Sequence, residues 1–192
     1  MNKTLKAGLV LLIFSPVMAF AHTGGGQTSG FQHGILHPIS GIDHLLAMIA
    51  VGLWASQLGG RAYWAVPSTF VVAMILGGMI GFSGVFIPFT EEGILVSILV
   101  LGLFIATTFK LSTNTSMVAV GLFAVFHGYA HGVEIEPSVS TLPFTAGFAL
   151  VTMVIHLFGI GLGLAMQRTN LVLFVRWLGG AIALSGIYLA VS

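Results

Sequence analysis

The chain has 192 residues, 57% hydrophobic and only 6% charged, with a mean hydropathy of +1.07 and a formal net charge of +1. Soluble domains carry about 25% charged residues, so the deficit excludes a water-facing surface and marks an integral membrane protein. No Lys/Arg run offers itself to nucleic acid, and with no cysteine neither disulfides nor thiolate metal sites are available.

Residues 1–21 read as a cleavable secretory signal peptide. Lys3 and Lys6 form a basic start, residues 7–14 an apolar core, and Ala19-Phe20-Ala21 a small-x-small cleavage pattern. An uncleaved first helix is the alternative. Residues 22–37 follow as a periplasmic arm that contains glycine and histidine, flexible in its Gly/Ser/Thr-rich part up to Gly30.

Residues 38–192 form the transmembrane domain. A span needs about 20 mostly apolar residues, and six stretches qualify: 38–58, 64–84, 93–110, 115–134, 142–166 and 171–190. Pro38, Pro67 and Pro143 fall near span starts, and Pro88 and Pro137 in loops. The short loops predict that consecutive helices are antiparallel neighbours. Gly77 and Gly81, and Gly159 and Gly163, have the small-xxx-small spacing of close helix packing.

Charge sets the orientation. With the signal exported, the mature N-terminus and the C-terminus are both periplasmic. Arg61, Lys110, Arg168 and Arg176 then fall at cytoplasmic ends, and Glu91, Glu92, Glu134 and Glu136 outside. The chain is expected to be an all-α protein of six transmembrane helices, multi-pass in the bacterial inner membrane.

Two stretches break the apolar pattern. In HGILHPISGIDH, residues 33–44, His37 precedes Pro38, which places His37 at the entrance of the first helix. Asp43 and His44 are then expected one to two turns inside. In FHGYAHGVE, residues 126–134, His127, His131 and Glu134 recur at i, i+4, i+7 and so line one helix face. By helix rise His127 lies about 10 Å in from Glu134, so both clusters occupy the same outer layer and can converge. Ionisable groups are costly within a span and mark a functional site.

Imidazole and carboxylate without sulfur suit Ni²⁺, Co²⁺, Zn²⁺ or Cu²⁺. Asp43 and Glu134 together match a divalent charge. His37, Asp43, His44, His127, His131 and Glu134 are therefore the candidate metal ligands, with His33 and His22 in the arm as weaker candidates. His156, alone in the fifth span, reads first as an interhelical hydrogen-bonding group and second as a relay point. Trp54, Trp64 and the methionines read as packing or interface residues.

HPISGIDHLLAMIAVGLWA and FHGYAHGVE resemble the two signature motifs of the HupE/UreJ family of nickel/cobalt permeases. The first matches His-x5-Asp-His as His37, Asp43 and His44. The second matches Phe-His-Gly-x-Ala-His-Gly-x-Glu as Phe126, His127, Gly128, Ala130, His131, Gly132 and Glu134. The likeness covers about residues 31–166. It implies uptake of Ni²⁺ or Co²⁺ from the periplasm, supplying hydrogenase or urease maturation or cobalamin synthesis, and it flags Glu91 as a metal-collecting residue.

The function expected is a permease, not an enzyme, with the metal as cargo and no prosthetic group. No phosphate-binding glycine loop is present for ATP. The competing reading is an intramembrane zinc-dependent hydrolase with Asp43 or Glu134 as general base. Haem ligation by paired histidines is a third, and the carboxylates beside each pair oppose it.

Overall fold

A computed structural model describes residues 29–135 and 139–191. The signal sequence, His22, Glu136 and Pro137 lie outside the described residues. The described chain is all helical: α1 (Ser29–Ser40), α2 (Ile42–Leu58), α3 (Ala62–Phe82), α4 (Thr90–Thr107), α5 (Thr113–Glu134), α6 (Thr141–Arg168) and α7 (Val172–Val191). The last five are each long and apolar enough to cross a membrane, and α1 with α2 make a sixth, sharply bent candidate span. Large apolar side chains such as Leu76, Leu122, Phe158 and Leu184 are exposed around the bundle, the outward face expected toward lipid. The chain is a multi-pass membrane protein.

The first span departs from the sequence expectation. Instead of opening at Pro38, the helix begins at Ser29 and carries Pro38 in its last turn. Gly41 then adopts an extended conformation, φ −96° and ψ 117°, and the axis turns by 83° into α2. A proline near a helix C-terminus removes one N–H but leaves the preceding turns intact. His37 therefore ends one helix rather than capping the next. Asp43 stands in the first turn of α2, not one to two turns within it.

The neighbour relations also differ. The dominant pairs are α3 with α5, α4 with α7, and α6 with both α1 and α2, none of them consecutive in the chain. Close approach decides this, not loop length. A Cβ on Gly77 would strike the Val125 carbonyl, one on Gly81 the Tyr129 carbonyl, and one on Gly132 the Gly78 carbonyl. Gly159 stands in the same way against Ile49 of α2, and Gly102 against Ala183 of α7. Absent side chains let backbones touch, which is the packing the glycine spacing predicts.

The contacts fix direction too. Residues 77 and 81 meet 125 and 129 in ascending order, so α3 and α5 run parallel, whereas Gly102 and Gly186 meet Ala183 and Leu99, so α4 and α7 run antiparallel. The Trp54 indole N–H donates to the Phe109 carbonyl at 2.9 Å, and Gln57 Nε2 donates to the Ile105 carbonyl at 3.1 Å. Gln167 Nε2 donates to the Ser56 carbonyl at 3.0 Å, and Arg176 Nε to the Ala106 carbonyl at 2.8 Å. These bonds tie together the end of the bundle that holds Arg61, Lys110, Arg168 and Arg176. Glu91, Glu92 and Glu134 lie on helix ends facing the other way, so the charges segregate as the sequence predicts.

Candidate metal centre

At the acidic end, α1 and α5 bring three side chains together. His37 Nε2 donates to Glu134 Oε2 at 3.1 Å, and His131 Nδ1 lies 3.6 Å from the same oxygen. One ligand atom from each of His37, His131 and Glu134 falls within 4.8 Å of the others, close enough for one cation to touch all three. Glu134 is half exposed, His37 a third exposed, and His131 nearly enclosed. The bend at Gly41 makes this possible, because it folds α1 across the mouth toward the last turn of α5.

Below them sits His44. Asp43 Oδ1 accepts from the His44 backbone N–H at 2.9 Å and from its Nδ1–H at 3.0 Å. A carboxylate holding one ring nitrogen leaves the other with its lone pair and fixes the plane of the ring, the arrangement that supports metal-ligating histidines. His44 Nε2 is buried and has no hydrogen-bond partner among the described residues. Asp43 thus acts on the cluster through His44. Its place in the first turn of α2 also offsets the partial positive charge of that helix terminus.

His127, one turn deeper on α5, is fully buried. Its Nε2 lies 2.9 Å from the Ser97 hydroxyl of α4, whose own hydrogen goes to the Ile94 carbonyl at 2.6 Å. The Ser97 oxygen therefore accepts from Nε2–H, and Nδ1 keeps its lone pair. That Nδ1, like Nε2 of His131, is buried without a hydrogen-bond partner among the described residues. An unpaired buried polar atom costs about 1–3 kcal/mol, so a core that retains three of them on three adjacent rings has a reason outside packing.

The rings form a continuous file. Centroid separations are 4.7 Å from His37 to His131, 4.2 Å from His131 to His44, and 4.9 Å from His44 to His127. It runs from a third-exposed His37 at the mouth to a fully enclosed His127. Phe148 of α6 walls the upper part, with its ring 4.4 Å from that of His131. Beside His131 is a small cavity of about 50 Å³, bordered by Met74, Gly78, Gly128 and Phe148. That is ample for one ion or water.

Of the six principal candidates, the four histidines make up the file, Glu134 bonds to His37 at its mouth, and Asp43 reaches it through His44. His33 is exposed, one turn before His37 on α1, and Glu91 is exposed in the first turn of α4; neither is part of the converging group. Ser97 escaped the sequence reading, which weighed only ionisable groups. The signal was there, as a hydroxyl set in the apolar run ILVSILVL.

Fold and site together define a polytopic helical membrane protein with a buried file of imidazoles opening at one acidic mouth. The sequence matches the HupE / UreJ protein family over residues 9–189. It is also 42% identical over 178 residues to Protein HupE of Rhizobium leguminosarum bv. viciae, covering 92% of each chain. This chain belongs to the HupE / UreJ family. No solved structure matches it.

Proposed function

We propose that this chain is a transition-metal permease that takes up Ni²⁺ or Co²⁺ across the bacterial inner membrane through the His/Asp/Glu file. The observation that carries the reading is the set of unpartnered, buried ring nitrogens on His44, His127 and His131. Their file begins at a carboxylate-bearing mouth. Membership in a family linked to nickel and cobalt uptake supports it. It lends no support to an intramembrane hydrolase.

Glu134 and His37 collect the ion, His131 and His44 take it inward, and His127 receives it next. Asp43 and Ser97 hold two of those rings in the tautomer that leaves a lone pair to the metal. Asp43 and Glu134 supply the two negative charges that offset a divalent ion away from water. The cation-rich end faces the cytoplasm by the positive-inside rule, which puts the mouth and both mature termini in the periplasm. Imidazole and carboxylate favour Ni²⁺ and Co²⁺ over Mg²⁺ and Ca²⁺, with Cu²⁺ and Zn²⁺ as competitors.

The test is radioactive Ni²⁺ and Co²⁺ flux into proteoliposomes, with metal-dependent hydrolysis assayed on the same sample. Saturable flux that resists excess Mg²⁺ is the expected result. Hydrolysis without flux would overturn the proposal.

A further inference from the structure

Beyond the file lies one more histidine that none of the preceding chemistry uses. His156 sits in the middle of α6, fully buried, and neither ring nitrogen has a hydrogen-bond partner among the described residues. The sequence suggests an interhelical hydrogen bond there, and none is made among the described residues. Its backbone is in tight contact with Gly52 of α2. Its ring is not packed away at random. The edge of Phe70 meets it at 5.0 Å and 83°, and the same Phe70 ring lies 5.6 Å from His127. Phe70, itself fully buried on α3, therefore packs against both the last imidazole of the file and this isolated one.

An ionisable side chain enclosed in a span and satisfied by nothing is retained at a cost, and such residues mark ion pathways. The next polar side chain along α6 is Thr152, one turn toward the mouth, and its hydroxyl is directed at the Met74 sulfur at 3.7 Å. The hydroxyl and the thioether thus turn toward each other.

We infer that His156 is an inner metal-coordinating station, and that Phe70 is the barrier a divalent ion must pass between His127 and His156. The inference rests on the permease reading above. It adds a second binding position on the far side of an aromatic wall, so that an ion at the mouth and an ion inside are separated by a ring and not by open water.

The experiment compares the parent with His156→Gln, measuring Ni²⁺ flux in proteoliposomes and equilibrium Ni²⁺ binding on the same preparation. Glutamine keeps much of the volume and removes the imidazole. The expected result is binding at the mouth within about twofold of the parent, which certifies folding, and flux reduced roughly tenfold or more, the scale of a lost metal-supporting group. Flux equal to the parent's overturns the inner station. Should His156→Gln fail to reach the membrane, Phe70→Leu carries the test, because a shorter apolar side chain lowers the wall; flux should rise several-fold, and unchanged flux overturns the inference. A parent that moves no metal overturns the permease reading and this inference with it, whereas parent flux with an unaffected variant overturns this inference alone.

Discussion

His37 and Glu134 meet at 3.1 Å although three helices, α2 to α4, separate the two that carry them. The contact closes the mouth of the histidine file, and it joins the short helix α1 to the last turn of α5. Its geometry follows from the 83° turn at Gly41, which points α1 away from the axis of α2. A straight first span would carry His37 along that axis, away from α5. The coupling of residues on separate helices to one ion is the source of the first prediction.

Asp43→Asn and Glu134→Gln should each strongly reduce Ni²⁺ uptake, by about 10–100-fold, and the double variant should be little worse than the poorer single. Losses at one ion are non-additive because the first already spoils what the second would damage. Uptake and equilibrium binding of both singles and the double check this. Multiplicative losses would mean independent sites.

Ser97→Ala should weaken Ni²⁺ binding roughly tenfold by freeing the His127 tautomer and leaving Nε2–H unpaired. Ser185→Ala is the control, since that hydroxyl is exposed and serves only the Ala181 carbonyl of its own helix. Isothermal titration of the purified variants distinguishes them. Equal affinities would remove Ser97 from the site.

Apparent metal affinity should fall as pH drops from about 7.5 to 5.5, because protons and metal compete for the same imidazole lone pairs and free imidazole titrates near pH ~6.5. The sign is fixed: the unprotonated ring binds, so acid disfavours the complex. Binding isotherms at several pH values test it, and a flat profile would take the histidines out of the site.

Two glycines offer a packing test with opposite outcomes. A Cβ on Gly128 would collide with the Met74 backbone, whereas one on Gly161 meets nothing within 4 Å. Gly128→Ala should destabilise by about 1–3 kcal/mol or more, and Gly161→Ala should be neutral or stabilising by up to about 1 kcal/mol. Thermal unfolding in detergent reads both. A Gly128→Ala protein as stable as the parent would mean that α3 and α5 are not in backbone contact.

Much of this was legible in the chain. The last five spans lie within a few residues of their sequence limits, because apolar length and charged ends are local properties, whereas the first begins about nine residues early and is bent. The i, i+4, i+7 spacing placed His127, His131 and Glu134 on one face of α5, and they are found there. What was not legible was relational. The sequence carries no local sign that Gly41 turns the chain by 83° rather than merely interrupting it, so residues 29–40 read as arm and span start. Helix order around the bundle is set by which glycine rows fit which backbones, and that matching is not visible within one helix. Phe70 and Ser97 matter through what faces them, His127 and His156, and nothing in their own neighbourhoods announces it.

Backbone contact at the glycine rows has a mechanical consequence. Helices whose main chains touch cannot slide past one another without collision, so α3 with α5 behaves as one slab and α1, α2 and α6 as another. The seam between the slabs is where relative movement is cheapest. His37, Asp43, His44 and His156 belong to one slab, and Phe70, His127, His131 and Glu134 to the other. On the proposed metal path a cation would touch both slabs at once, so loading would staple the seam and release would free it.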